Sequence, residues 1–148
     1  MSGLALLAAA SIEFLGPCSV QPLLRARILG EPANLGVATI ETLERFGVDY
    51  EGTEQGLNSA FGTPTGMAAM EVVSDREMRS YGWCYEVDGK VPEVYANEVP
   101  MRGVREVRWY FAYAHYFDGQ WVAQCVPAHR LRPRFLNCPQ GASGRGRR

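Results

Sequence analysis

The chain has 148 residues, 47% of them hydrophobic and 21% charged, with a formal net charge of −1. Those values describe one ordinary globular domain and exclude both a membrane bundle and a disordered polyelectrolyte. All 16 acidic residues lie at or before Asp118, whereas six of the 15 basic residues follow it, so an acidic body carries a basic tail. Lys90 is the sole lysine and no basic stripe runs through the body, which argues against nucleic-acid binding.

At the N-terminus, Leu4 to Ala10 is an apolar run with small residues at its end, a short signal-peptide-like segment without a basic flank. No other stretch approaches the roughly 20 apolar residues of a membrane span. Residues 1–10 are therefore set apart from a domain expected over 11–132, and 133–148 reads as an Arg/Gly-rich tail, disordered at its end.

Ser11 to Gly16 reads as a strand. Leu23 to Leu29 reads as a second, paired with it as a hairpin, with Leu24, Ala26 and Ile28 inward and Arg25, Arg27 and Leu29 outward. Leu35 to Phe46 has helical periodicity, with Val37, Ile40, Leu43 and Phe46 on the expected buried face and Glu41, Thr42 and Arg45 on the other. Asn34 is placed to cap this helix and Gly47 to end it.

Val48 to Gly66 is rich in Gly, Thr, Asn and Pro and reads as a long loop with at most short strands. Met67 to Val73 fits a strand or a short helix equally. Trp83 to Val87 alternates as a strand and ends at Asp88-Gly89, the strongest tight-turn signal in the chain. Val107 to Tyr116 is the longest expected strand, and Asp118-Gly119 turns it into a last strand over Gln120 to Val126. One helix over about 34–46 against a mostly antiparallel mixed sheet is an α+β architecture, and a β-grasp-like arrangement fits this order.

The stretch Tyr81-Gly82-Trp83-Cys84-Tyr85-Glu86-Val87-Asp88-Gly89-Lys90 resembles the signature of a family of exported domains similar to the C-terminal domain of transcobalamin and intrinsic factor. That signature runs Gly-x-Trp-x-Tyr-x-Val-Asn-Gly, and here Asp88 stands in place of its Asn. Ile40 to Leu43 with Phe46-Gly47, and Val104 to Tyr110, resemble the helix and a later strand of the same family. The resemblance covers roughly residues 11 to 126. It implies a β-grasp-like fold, a periplasmic, secreted or surface location and no enzymatic activity. It implies cobalamin only loosely, because single-domain members mostly have no assigned ligand and the helical partner domain of the transport proteins has no room in 148 residues. The four cysteines and the Arg-rich tail depart from the family pattern.

Cys18, Cys84, Cys125 and Cys138 are even in number and lack a Cys-x-x-Cys pair, which in an exported protein reads as two disulfides with three possible connectivities. One of these, Cys125 with Cys138, would pin the tail to the last strand and contribute about 3 kcal/mol by restricting the unfolded chain. Trp83, Tyr85, Trp109 and Phe111 are expected as core beneath the helix. Tyr110, Tyr116 and Trp121 are expected on the opposite face as an exposed patch for a protein partner or a ligand, with Tyr113 and His115 added from the same hairpin.

His115, Asp118 and Cys125 suggest a nucleophile only weakly, since the histidine and aspartate flank a turn and the cysteine is better used in a bridge. Cys125, His129 and Cys138 match no common zinc spacing. The reading is a non-catalytic exported binding module with no resident cofactor, whose ligand could be a protein, a glycan or a corrinoid. The alternative is a structural subunit of an extracellular assembly, self-associating through strand edges.

Overall fold

The computed structural model describes residues 9–136 and 138. The apolar run over 4–8 and the tail over 139–148 lie outside them.

The chain opens on a hairpin, β1 (Ser11–Leu15) antiparallel to β2 (Leu24–Arg27), followed by α1 (Leu35–Arg45). A small separate hairpin follows, β3 (Tyr50–Thr53) with β4 (Gly56–Ala60). A 3₁₀ turn at Gly66–Ala69 leads into β5 (Met70–Ser74), so the ambiguous stretch after Gly66 is helical first and extended second. Three longer strands complete the fold: β6 (Glu77–Val87), β7 (Glu106–Phe117) and β8 (Gln120–Pro127). The main sheet runs β2-β1-β7-β6-β5, and β8 also pairs with β7. The architecture is α+β, with one helix on a curled, mixed sheet.

One edge of β7 has two partners in succession. Glu106 to Tyr110 pair in parallel with β1, and Ala112 to Phe117 pair antiparallel with β8. The other edge pairs with β6 along its full length. β7 is thus the central strand, and the alternation of its side chains divides the molecule into two faces.

The covered face holds the core. Val107, Trp109 and Phe111 of β7 lie beside Tyr81, Trp83 and Tyr85 of β6 and Ile12 and Phe14 of β1, beneath α1 and the β3–β4 hairpin. All four aromatic residues expected in the core are there. Their polar atoms are satisfied: the Trp109 indole donates to Thr39 Oγ1 at 2.9 Å, the Trp83 indole to Thr63 Oγ1 at 2.8 Å, Tyr81 to the Leu131 carbonyl and Tyr85 to the Val94 carbonyl. Burial without such partners would cost each group about 1–3 kcal/mol.

The helix is rotated from the expected face. Leu35, Ala38, Thr39, Thr42 and Leu43 are buried, Val37 and Ile40 only partly, and Phe46 is 49% exposed beneath the Arg45 guanidinium. Thr39 and Thr42 tolerate burial because their hydroxyls donate to the Leu35 and Ala38 carbonyls at 2.8 Å. Their small volume also lets the helix approach Trp109. Gly36 permits a second close approach, since a Cβ there would sit 1.8 Å from the Glu54 carbonyl oxygen. The ends form as expected. Asn34 accepts from the Val37 amide at 2.9 Å. Gly47, at φ +66, donates to Glu44 O while Val48 donates to Leu43 O, the paired bonds of a Schellman ending.

The packed region extends past residue 132. Pro133 is buried, and Phe135 stands edge-on to Tyr81 with ring centroids 5.4 Å apart. The disulfides are Cys18–Cys138 and Cys84–Cys125. Two bridges form, but Cys125 does not close on Cys138. Instead β8 brings it over the sheet to Cys84, and Cys138 meets the loop after β1.

Candidate functional site

Among the described residues no helix lies on the second face of the sheet, and its middle is closed by the Cys84–Cys125 bridge. Both cysteines belong to strands that flank β7, and across a flat sheet such strands stand about 9.6 Å apart. Their Cα atoms are 5.8 Å apart, so β8 leaves the plane and folds over the open face. The register of β8 is irregular between Tyr113 and Tyr116, and Cys125 adopts φ +53, a conformation uncommon outside glycine and asparagine.

This fold-over corrects the expectation for Tyr110. It sits on the open face, as the alternation requires, yet it is only 6% exposed. Its hydroxyl donates to the Cys125 carbonyl at 3.0 Å, and burial, with the Glu86 charge nearby, pushes its pKa above the usual tyrosine value. Tyr110 therefore belongs to the structural middle of this face, between two ends of different chemistry.

One end is apolar. Val72 of β5, Met78 of β6, Tyr116 of β7 and Trp121 of β8 are successive partners in one cross-strand row. Val72 is 70% and Trp121 49% exposed, and the Tyr116 and Trp121 rings meet edge-on at 5.2 Å. Of the residues singled out in the sequence, this row unites Tyr116 and Trp121. Tyr113 and His115 lie on the covered face with Trp109, as the alternation of β7 expects, and so are not part of the open-face patch: Tyr113 is half-buried against Tyr81, and His115 Nε2 is 2.7 Å from Glu77. Cys125 is bonded to Cys84 and Asp118 is paired with Arg76, so the three groups of the nucleophile reading have separate structural partners. Cys138 is likewise bridged. Among the described residues no cluster of His, Cys, Asp or Glu could hold a metal.

The other end is charged. Arg25, Glu13, Arg108 and Glu86 occupy paired positions on β2, β1, β7 and β6, so their signs alternate across four strands. Arg108 donates to Glu13 at 2.6 Å and to Glu86 at 3.1 Å, while Arg25 reaches Glu13 only at 3.9 Å. The contact with Glu13 is the main reason that the Arg108 pKa is raised above its ordinary value. This row floors a cleft of about 600 Å³, walled by Leu15, Val20, Pro22, Pro127, His129 and Arg130. It opens where the edge of β7 passes from β1 to β8.

Neither the charged row nor Val72 and Met78 were singled out in the sequence. The available signal was charge at alternate positions of otherwise apolar strands: Glu13 between Ile12 and Phe14, Arg108 between Val107 and Trp109, Glu86 between Tyr85 and Val87. Recognising one site in them requires the strand register.

No family model, curated protein or solved structure matches the chain. Among the described residues no helix is long and apolar enough to cross a membrane, and this together with two disulfides is compatible with a secreted or periplasmic protein.

Proposed function

We propose that this protein is a non-catalytic, exported binding module of β-grasp-like fold whose working surface is the open face of its sheet. Tyr116 and Trp121 are the anchors, and the partner is a protein or a ligand such as a glycan or a corrinoid. The observation that carries the reading is the Val72-Met78-Tyr116-Trp121 row, an apolar strip with Val72 and Trp121 exposed at its ends and Met78 and Tyr116 half-buried between them.

The β-grasp assignment draws support from the parallel pairing of β1 with β7 between the hairpin partners β2 and β6, with α1 crossing one face. Asp88 also supports the family resemblance. Its carboxylate accepts from the Arg105 and Glu106 amides, so the turn that carries the signature is tied to the start of β7. The corrinoid expectation rests on the resemblance alone.

The test is a binding screen by NMR against cyanocobalamin, oligosaccharides and extended peptides. The expected result is a saturable shift centred on Tyr116 and Trp121 that Trp121→Ala abolishes while the fold persists. Shifts that avoid this row for every class would overturn the reading.

A second reading, a subunit of an extracellular assembly, is favoured by the edge of the sheet. β5 ends the strand order and exposes both Val72 and Val73. Light scattering behind size exclusion separates the two, because assembly by strand addition gives mass that rises with concentration.

A further inference from the structure

The cleft at the charged end of the open face is independent of the aromatic row, and its chemistry points to a small ligand. Its volume of about 600 Å³ lies within the range of about 300–1,000 Å³ that small-molecule sites occupy. The sign of its ligand follows from how its charges are used. Both carboxylates, Glu13 and Glu86, are engaged by one guanidinium, that of Arg108. Arg25, at 66% side-chain exposure, is 3.9 Å from Glu13, too far for a hydrogen bond. Arg130 is exposed at the rim and makes no ion pair with any described residue, and no acidic residue follows Asp118 in the chain. Two guanidinium groups therefore face the cleft with hydrogen-bonding capacity unspent, in a body otherwise rich in acid.

The rest of the lining sets the other half of the ligand. Leu15, Val20, Pro22 and Pro127 form an apolar wall beside the cations, and Val20 is 61% exposed. Proline and β-branched side chains lose little freedom on contact, so this wall can take up an aliphatic or aryl body at small entropic cost. A guanidinium binds a carboxylate through two parallel N–H groups, and it does so best where apolar walls lower the local dielectric.

We infer that this cleft binds a small amphipathic carboxylate, with Arg25 and Arg130 holding the anionic head and the wall of Leu15, Val20, Pro22 and Pro127 receiving the apolar body. The Glu13-Arg108-Glu86 row beneath it acts as a positioning element. By pairing with both acids, Arg108 offsets part of their repulsion of the incoming anion, and Arg25 and Arg130 supply the remaining positive charge.

Three probes of equal length test the inference on the intact, oxidised protein: octanoate, octanol and octyltrimethylammonium, each followed by amide chemical shifts. Octanoate is expected to shift residues of the Leu15–Pro22 loop and of Pro127–Arg130 saturably. Octanol and the ammonium compound should bind at least about tenfold more weakly, the loss expected when a charge-assisted contact is missing. Changing both Arg25→Gln and Arg130→Gln should weaken octanoate by about tenfold or more with near-ultraviolet dichroism unchanged. Equal affinity for the three probes, or undiminished octanoate binding in the double variant, would overturn the assignment. The head-group series needs no mutation, so it decides the question even if the double variant is unstable. Shifts confined to the Tyr116–Trp121 row would overturn the cleft while leaving the proposed function standing.

Discussion

The two faces of β7 carry nearly the same residue types and meet different fates. Trp109 and Phe111 on one side are enclosed by a helix, a hairpin and the Pro133–Leu136 segment. Tyr110 and Tyr116 on the other share a face with no helix among the described residues, and of the two only Tyr110 is buried, beneath the fold-over of β8. The covered face is stabilised by area: large apolar surfaces leave water, and the buried Tyr81, Trp83, Tyr85 and Trp109 each find a hydrogen-bond partner. The open face is stabilised by covalent and ionic links, a disulfide at the centre and a charge row at one end. A domain of this size can spare one face of its sheet for recognition if that face is braced without being filled.

Mutations that separate these two modes should differ widely in effect. Trp109→Ala removes the largest fully buried side chain and the indole donor to the Thr39 hydroxyl, so it should cost about 5 kcal/mol in urea unfolding, the upper end for such truncations. Replacing Cys84 and Cys125 together by Ser frees a loop spanning 41 residues and should cost about 4 kcal/mol, and it should expose Tyr110 to solvent. If exposure of Tyr110 did not follow, the fold-over would be set by the β8 register and not by the bridge. Thr39→Val keeps the volume but removes the acceptor of the Trp109 indole, for a loss of about 1–3 kcal/mol. Trp121→Ala should change stability by less than about 1 kcal/mol, since half the residue is already in water.

Alkaline titration sharpens the same contrast. Burial and the Glu71 charge push the Tyr81 pKa up to about 12 from an ordinary value of 10.0. The unfolded chain therefore loses this proton first, and the stability that the neutral phenol contributes declines as pH rises from 10 towards 12. Phenolate absorbance at 295 nm should show Tyr81 among the last tyrosines to ionise, and Tyr81→Phe should remove that late component.

Much of the covered face was legible in the sequence, because strict alternation in β1, β6 and β7 and the Asn34 and Gly47 signals are local. The helix rotation was not, because Thr39 and Thr42 look like surface residues until their hydroxyls are seen to bond the preceding turn. The β3–β4 hairpin was hidden by Gly52 and Gly56, which break any periodicity. The open face was the least legible. Parity of cysteines implies bridges but says nothing of distance, and the burial of Tyr110 follows from a bend at Cys125 that no turn residue announces. The cleft is built from Arg25, Glu13, Arg108, Glu86 and Arg130, positions up to 117 residues apart in chain numbering. No local pattern joins them.

The shared edge of β7 has a consequence for how the molecule assembles during synthesis. β1 leaves the ribosome early, yet the strand it must join, through Ser11 opposite Glu106, is made about 95 residues later. Until then β1 has β2 as its one strand partner, and an isolated two-stranded ribbon is marginal in water. The β7–β8 hairpin, by contrast, closes over the Asp118-Gly119 turn, and β6 joins it across the loop of residues 88–105, so these three strands can pair as soon as they are made. Folding should therefore be slow and late, ending with the capture of the first strand by the central one.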